Sequence, residues 1–155
     1  MSMNTVPERL AALRAAMAAN GVAVYLIPVG DPHASEYLPA HYTSLTWFSG
    51  FHGENSNLVV TRTGSALWAD GRYFVQAEKE LAGTEIELQR MGEPGVPTVE
   101  EYCANALNEG EVLGLCGLTA STALVNGLKK ALEKKNASIR TLRLEDELWT
   151  EGRPA

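Results

Sequence analysis

Cysteine is scarce in this sequence: among 155 residues there are two, Cys103 and Cys116. Two cysteines do not make the disulfide framework that staples small secreted domains. Each lies in an apolar stretch, where a cysteine behaves as a small hydrophobic residue, and no histidine is nearby in sequence to activate a thiol nucleophile. We therefore predict that both thiols are buried and structural.

Long apolar runs are absent too, and positive charge is sparse. No run approaches the roughly 20 apolar residues that span a bilayer, and the N-terminus lacks the pattern of a signal peptide. The net charge of -6 and the isoelectric point of about 5.1 argue against a nucleic-acid footprint. One lysine group alternates with apolar residues, as on a solvated helix face: Lys129, Lys130, Lys134 and Lys135. We expect a cytoplasmic protein that binds neither nucleic acid nor membrane.

Apolar periodicity, capping residues and turn residues divide the chain into alternating helices and strands. Thr5 with Glu8 and Thr98 with Glu101 each form a capping box at a helix start. Gly64 is predicted to supply the positive φ of a tight hairpin turn. The predicted elements are a helix over 5–19, a strand over 22–28, hairpin strands over 58–62 and 66–68, a helix over 72–81, a strand over 85–89, a helix over 98–107, a strand over 112–116, a helix over 124–132, a strand over 138–142 and a closing helix.

This order of elements predicts a three-layer α/β/α fold. One hairpin among otherwise alternating helices and strands implies a mixed, mainly parallel sheet of five to six strands with helices on both faces. With 45% apolar residues, the chain has the size and composition of a single domain over residues 1–155.

Residues 30–57 are the first candidate site. The stretch is loop-rich and loaded with aromatic residues, which is typical of a surface site or a lid. It begins with Asp31, His33 and Glu36, directly after a strand end where ligands bind in open α/β sheets. These side chains can ligate a metal, although their spacing matches no established zinc pattern. Alternatively, Asp31 and Ser35 fasten a turn through backbone N–H groups.

A serine hydrolase and a nucleotide site have little support. A hydrolase would pair Ser49 or Ser56 with His52 and a carboxylate such as Glu54 or Asp70. The glycines around Ser49 do not form the Gly-x-Ser-x-Gly elbow that exposes such a nucleophile. Residues 50–53 carry two glycines without the pattern of a phosphate loop. The sequence therefore indicates no nucleotide site.

The segment from Asp70 to Phe74 turns out of a predicted strand directly into a helix. Structurally, Asp70 can cap the helix, Gly71 can relax the turn and the aromatic residues can pack in the core. Functionally, Arg72 is a fixed cation with five donors, well suited to hold a carboxylate such as a peptide C-terminus. The structural interpretation is favoured for Asp70, and both stay open for Arg72.

Several short motifs in order make this sequence similar to a known family. They are Ile27-Pro28, Gly30-Asp31-Pro32-His33-Ala34-Ser35-Glu36-Tyr37, Ser49-Gly50-Phe51, Trp68-Ala69-Asp70-Gly71-Arg72-Tyr73-Phe74-Val75-Gln76-Ala77, and a closing stretch from Trp149 to Pro154. In order and spacing they resemble the N-terminal domain of cytosolic-type Xaa-Pro aminopeptidases, within the creatinase and prolidase family. The resemblance covers nearly the whole chain.

The resemblance implies a creatinase/prolidase N-terminal domain that is not catalytic alone. In the family, catalysis belongs to a C-terminal pita-bread domain, where two Asp, one His and two Glu hold two divalent metal ions, often manganese. Only three histidines exist here, all between positions 33 and 52, so we expect no catalytic residue and no metal site in this chain. We expect the catalytic domain to lie beyond it.

The roles that the resemblance assigns to this domain are dimerisation and shaping of the substrate entrance, for peptides with proline in second position. The expected substrate-binding side chains are His33, Trp47, Phe51, Arg72 and Tyr73. The expected partners are the catalytic domain of the same polypeptide, a second copy in a homodimer, and proline-containing peptides. Two alternatives stay open: a free-standing α/β module that binds a peptide or small acid through the aromatic loop, and a domain that only dimerises.

Overall fold

The computed structural model describes residues 5–29, 48–51, 56–69, 71–116 and 122–142 of the chain. Within these ranges lie α1 (Val6–Ala19), β1 (Val24–Val29), β2 (Ser56–Thr61), β3 (Ser65–Ala69), α2 (Phe74–Glu80), β4 (Glu87–Arg90), α3 (Val99–Ala106), β5 (Val112–Cys116), α4 (Thr122–Leu132) and β6 (Ser138–Leu142). Short 3-10 turns, Gly71–Tyr73 and Glu133–Lys135, precede α2 and follow α4. The closing helix predicted after β6 lies outside the described residues.

The first predicted helix is confirmed as α1, together with its cap. The Thr5 hydroxyl accepts a hydrogen bond from the Glu8 backbone N–H at 3.4 Å and donates one to the Glu8 carboxylate at 2.8 Å. Leu10, Leu13 and Met17 recur at helical spacing and are the buried side chains of α1. The helix therefore buries one apolar stripe against the sheet.

The six strands form one mixed sheet in the order β4-β3-β2-β1-β5-β6. The pairs β1–β5, β5–β6 and β3–β4 are parallel, whereas β2 is antiparallel to both β1 and β3. Among these strands β2 alone runs against the other five. The carboxyl ends of those five therefore meet at one edge, which we call the carboxyl edge, and the predicted mixed, mainly parallel sheet is confirmed.

The predicted hairpin is confirmed, but a threonine closes its turn. The prediction of a positive φ at Gly64 is wrong, because Gly64 does not adopt that conformation. Instead the Thr61 Oγ1 accepts hydrogen bonds from the Gly64 N–H at 3.0 Å and the Thr63 N–H at 3.4 Å. The Thr61 N–H also donates to the Gly64 carbonyl at 2.9 Å. Side-chain acceptance of two N–H groups thus forms the turn without a left-handed residue.

Strand β4 begins two residues later than predicted. Glu85 has a φ of 71°, in the left-handed region, so it cannot continue an extended strand. The Thr84 hydroxyl donates to the Leu81 carbonyl at 2.5 Å and accepts from the Ile86 N–H at 3.3 Å. These bonds make a turn after α2, and pairing with β3 starts only at Glu87.

Alternate residues of the strands face two separate hydrophobic clusters. Tyr25 and Ile27 of β1 pack with buried side chains of α1 and α2, whereas Val24 and Leu26 pack with those of α3 and α4. Helices therefore cover both faces of the sheet, and the predicted three-layer α/β/α fold is confirmed.

The two helices on the second face are packed closely together. α3 begins with the predicted capping box, in which the Thr98 hydroxyl and the Glu101 carboxylate each accept a backbone N–H of the other residue. A Cβ at Gly127 of α4 would lie 3.3 Å from the Glu100 carboxylate, so a glycine permits this close approach. Lys129 and Lys130 are exposed, as predicted for a solvated helix face.

Candidate functional site

The carboxyl edge of the sheet holds the ends of the described strands that flank the predicted site residues. β1 ends there, β2 begins there, and β3 ends there before the 3-10 turn Gly71–Tyr73. In open α/β sheets, ligands bind in the crevice outside the carboxyl ends of the strands. The described edge therefore carries the Arg72 turn at the place where such sheets bind ligands.

Phe48 to Phe51 anchor the loop to the core at this edge. Phe48, Ser49 and Phe51 are fully buried, and the Ser49 Oγ accepts the Phe51 backbone N–H at 3.1 Å. Gly50 has a φ of 77°, a conformation that costs a residue with a Cβ roughly 1–2 kcal/mol. A Cβ there would meet Val6 at 3.7 Å, which is ordinary contact, so backbone conformation rather than space selects the glycine.

Phe51 and Tyr73 form the described part of the predicted site. Their rings meet edge to face, with centroids 5.9 Å apart and planes at 90°. Phe51 has 0% exposed surface and belongs to the cluster under α1 and α2, whereas Tyr73 is only half-buried. Of the two, Tyr73 can meet a ligand in this chain, and Phe51 holds Tyr73 from below.

The structure describes the other predicted site residues only in part. His33 and Trp47 lie outside the described residues, as do Asp31, Glu36 and Asp70. For Arg72 the backbone is described, within the 3-10 turn directly before Tyr73, and the side chain is not. The structure thus brings Phe51 to Tyr73 and leaves His33, Trp47 and the Arg72 guanidinium as predictions.

The serines of the hydrolase hypothesis are both buried. Ser49 is used in the local hydrogen bond to Phe51, and the Ser56 Oγ, at the first residue of β2, has no hydrogen-bond partner within the described part of the chain. The partners that a triad would need, His52 with Glu54 or Asp70, fall outside that part. The hydrolase hypothesis therefore gains no geometric support.

The outer face of α2 continues from Tyr73 along the surface. Val75 is 67% exposed, which is unusual for a branched apolar residue. Next to it, the Arg90 guanidinium lies 5.5 Å from the centroid of the Phe74 ring and also pairs with the Glu78 carboxylate. These contacts fix the end of β4 against α2.

A cleft of about 470 Å³ opens at the same edge, on the face covered by α3 and α4. We call it the 91–100 cleft, because the loop after β4 and the first turn of α3 form most of its wall. Trp68, Val96 and Leu124 line it with apolar surface, and Glu93 and Glu100 add carboxylates. The Gly/Pro-rich stretch 92–97 was the only sign of this site in the sequence, and its proximity to Trp68 follows from the fold.

Two titratable groups on this face have a shifted pKa. Burial, and secondarily the charge of Glu100, strongly raises the pKa of the Cys103 thiol, which is fully buried. Burial, then the charges of Glu87 and Cys103, raises the pKa of Tyr102. The predicted burial of Cys103 is confirmed, whereas the Cys116 side chain lies outside the described part. Cys103 is therefore an inert core residue.

The described part of the chain shows neither a metal-binding group of side chains nor a membrane-spanning helix. Across residues 5–29, 48–51, 56–69, 71–116 and 122–142, no three His, Cys, Asp or Glu side chains gather into a group that could hold a metal ion. Within the same ranges, no helix has the length and apolarity needed to cross a membrane.

Comparison with known proteins bears on the whole chain. Residues 9–144 match the family described as Creatinase/Prolidase N-terminal domain. Aminopeptidase P2 of Arabidopsis thaliana is 40% identical over 154 residues, covering 96% of this chain and 22% of that protein. The X-prolyl aminopeptidase of Caenorhabditis elegans, described as a cytosolic enzyme with a di-nuclear active site, superimposes with a TM-score of 0.85 at 32% identity, covering 98% of this chain and 26% of that one.

A second solved structure consists of such a domain alone. It is the N-terminal domain of the cytoplasmic peptidase PepQ from Mycobacterium tuberculosis, with a TM-score of 0.63 at 26% identity, covering 90% of this chain and 95% of that one. A domain of this fold can thus be studied apart from the rest of its protein.

Together the fold and these matches define an α/β domain of the kind found in peptidases, and the chain belongs to the Creatinase/Prolidase N-terminal domain family. More particularly, it is similar to the N-terminal domain of Xaa-Pro aminopeptidases, so the resemblance drawn from the short motifs is confirmed. The chain spans about a quarter of the length of the curated relatives that it matches.

Proposed function

We propose that this chain is the accessory N-terminal domain of a dimetal Xaa-Pro aminopeptidase, which removes the N-terminal residue from peptides with proline in second position. The observation that carries the proposal is the match to Xaa-Pro aminopeptidases along 96% or more of this chain, at 40% identity to one of them. The turn that contains Arg72 lies at the carboxyl edge, and its last residue, Tyr73, forms an aromatic pair with Phe51.

In this proposal the chain does not carry out the chemistry. The relatives are about four times longer, and one of them is described as having a di-nuclear active site. The described residues of this chain do not fit such a pair of ions, because no group of three metal-ligating side chains occurs among them. Two divalent ions, manganese in our proposal, would be held by the catalytic domain of the same polypeptide, and no catalytic step is assigned here.

The domain's contribution in this proposal is positioning at the carboxyl edge. His33, Trp47, Arg72 and Tyr73 would face the substrate, and Phe51 would hold Tyr73 in place through the edge-to-face contact at 5.9 Å. A guanidinium at position 72 could bind a peptide carboxylate with two parallel hydrogen bonds. Pairing of two such chains into a homodimer, and a cytoplasmic location, belong to the same proposal.

The test is a kinetic comparison in the full-length parent enzyme. Arg72→Ala should raise KM for a Xaa-Pro tripeptide by roughly 10- to 100-fold, because one charge-assisted hydrogen-bonded contact contributes roughly 1.5–3 kcal/mol. Arg72→Lys should recover part of that loss, since lysine keeps the charge and loses the planar fork.

Arg140→Ala is the matched control, because its guanidinium is exposed and donates to the Asn20 carbonyl beyond the end of α1, away from the carboxyl edge. Unchanged kinetics in Arg72→Ala would refute the substrate contact, and a loss of stability alongside unchanged kinetics would mark Arg72 as a structural residue. Tight peptide binding by the 155-residue chain alone would instead favour the free-standing binding module.

A further inference from the structure

The 91–100 cleft has a rigid floor. Trp68 is 1% exposed, and its indole N–H donates to the Pro97 carbonyl at 2.9 Å. On its other side the indole meets the Tyr102 ring edge to face, with centroids 5.0 Å apart. A tryptophan held by a hydrogen bond and by a ring contact, and almost wholly covered, is a rigid support under the apolar residues that line the cleft.

The wall of the cleft is an ordered loop. Gly92 and Gly95 have φ values of 87° and 83°, which let the chain reverse direction twice within the loop. The Met91 N–H donates to the Ala69 carbonyl at 3.0 Å, and the Val96 N–H donates to the Glu93 carbonyl at 3.2 Å. The loop is thus tied to β3 and to itself, and its side chains have defined places around the cleft.

The charge of the cleft has one sign. Glu93 and Glu100 line it, and no lysine, arginine or histidine occurs among the described residues that do so. The nearest cation along the chain, Arg90, is engaged with Phe74 and Glu78. The first turn of α3 does not favour an anion either, because Glu100 and Glu101 bring negative charge to it and the capping box already occupies the Thr98 and Glu101 N–H groups.

We propose that the 91–100 cleft binds a small organic cation: a primary ammonium on an apolar, preferably aromatic, body. The apolar body lies against Val96 and Leu124, above the covered Trp68 ring, and the ammonium meets the carboxylates of Glu93 and Glu100. A volume of about 470 Å³ is within the usual range of small-molecule sites. Binding of a cation in this cleft does not depend on the proposed peptidase function. A failure to bind the cation would therefore leave the proposed function unaffected.

The experiment is an NMR titration of the 155-residue chain, since a homologous domain of this fold was solved alone. The probe is 2-phenylethylammonium, compared with 3-phenylpropanoate, which has the same body and the opposite charge. We expect saturable shifts of the Trp68 indole N–H and of the amides over 91–100 with the cation only. The affinity should fall as salt is added, because the carboxylates are partly exposed.

Variants separate charge from shape. Glu93→Gln with Glu100→Gln should weaken 2-phenylethylammonium about fivefold, as expected for two partly exposed charges. The matched control, Glu85→Gln with Glu133→Gln, removes the same charge at exposed positions outside the cleft and should leave the affinity unchanged. Val96→Trp should abolish binding, because the indole would fill the cleft from a loop position.

The proposal is overturned by any of three results: equal binding of 3-phenylpropanoate, equal losses in the cleft and control double variants, or shifts that do not saturate and spread beyond the cleft. The unfolding midpoint of each cleft variant reports any loss of stability. If Val96→Trp keeps an unchanged midpoint, its loss of binding supports the proposal, and retained binding contradicts it.

Discussion

The contact between Phe51 and Tyr73 links the buried loop anchor to the Arg72 turn, and its strength can be measured. An edge-to-face pair with centroids 5.9 Å apart contributes about 0.5–1.5 kcal/mol beyond the area that it buries. We predict that a double-mutant cycle of Phe51→Leu and Tyr73→Leu gives a coupling free energy in that range. Leucine keeps an apolar side chain in the core, so Phe51→Leu alone should cost about 1–1.5 kcal/mol.

The assay is urea unfolding of the 155-residue chain followed by circular dichroism, with all four proteins fitted to a common slope. The control cycle pairs Phe51→Leu with Tyr102→Leu. Tyr102 packs on the opposite face of the sheet, so these two changes should add within about 0.3–0.5 kcal/mol. A Phe51–Tyr73 coupling no larger than the control coupling would refute the view that Phe51 holds the Arg72 turn.

Two further predictions concern the backbone and the buried thiol. Gly50→Ala should lower the free energy of unfolding by about 1–2 kcal/mol, because Gly50 has a positive φ. Gly64→Ala should change it by less than about 0.5 kcal/mol, since a Cβ there would only touch Thr61 at 3.9 Å. Equal losses in the two variants would contradict the Thr61 turn. Burial raises the pKa of the Cys103 thiol above its value in the unfolded chain. Below about pH 8.5 the thiol is neutral in both states, so its contribution to the free energy of unfolding is fully present. Above that pH the unfolded chain loses this proton first, and the free energy of unfolding falls by up to about 1.4 kcal/mol per pH unit. Unfolding free energies between pH 7 and pH 10 should therefore fall more steeply for this chain than for Cys103→Ala, and parallel curves would count against the assignment.

The locally encoded parts of the fold could be predicted from the sequence. The Thr5 cap and the Thr98 capping box involve residues three apart, so their geometry follows once the helix forms; at Thr5 the Glu8 carboxylate accepts from the hydroxyl, and the full capping box forms at Thr98. The apolar run of β1 predicted a strand covered on both faces, which the alternation between the two hydrophobic clusters explains.

The predictions for Gly64 and Glu85 were wrong because side-chain hydrogen bonds form a backbone conformation other than the expected one. At Gly64 the presence of glycine suggested a left-handed turn, but Thr61 supplies the hydrogen bonds from three residues away. At Glu85 an alternating pattern suggested a strand, but the Thr84 hydroxyl closes a turn that forces a positive φ. Both outcomes depend on competition between a side chain and the backbone for the same hydrogen bonds, which composition does not resolve.

What the sequence alone determined is the family, the alternation of helices and strands and the identity of the residues near Arg72, because motifs and periodicity are local properties of the chain. Only the tertiary structure decided that β2 also runs against β1, that Phe51 is buried beneath Tyr73, and that residues 91–100 enclose a cleft beside Trp68. Those facts depend on contacts between residues distant in sequence. Such contacts stabilise the chain only once the sheet has assembled.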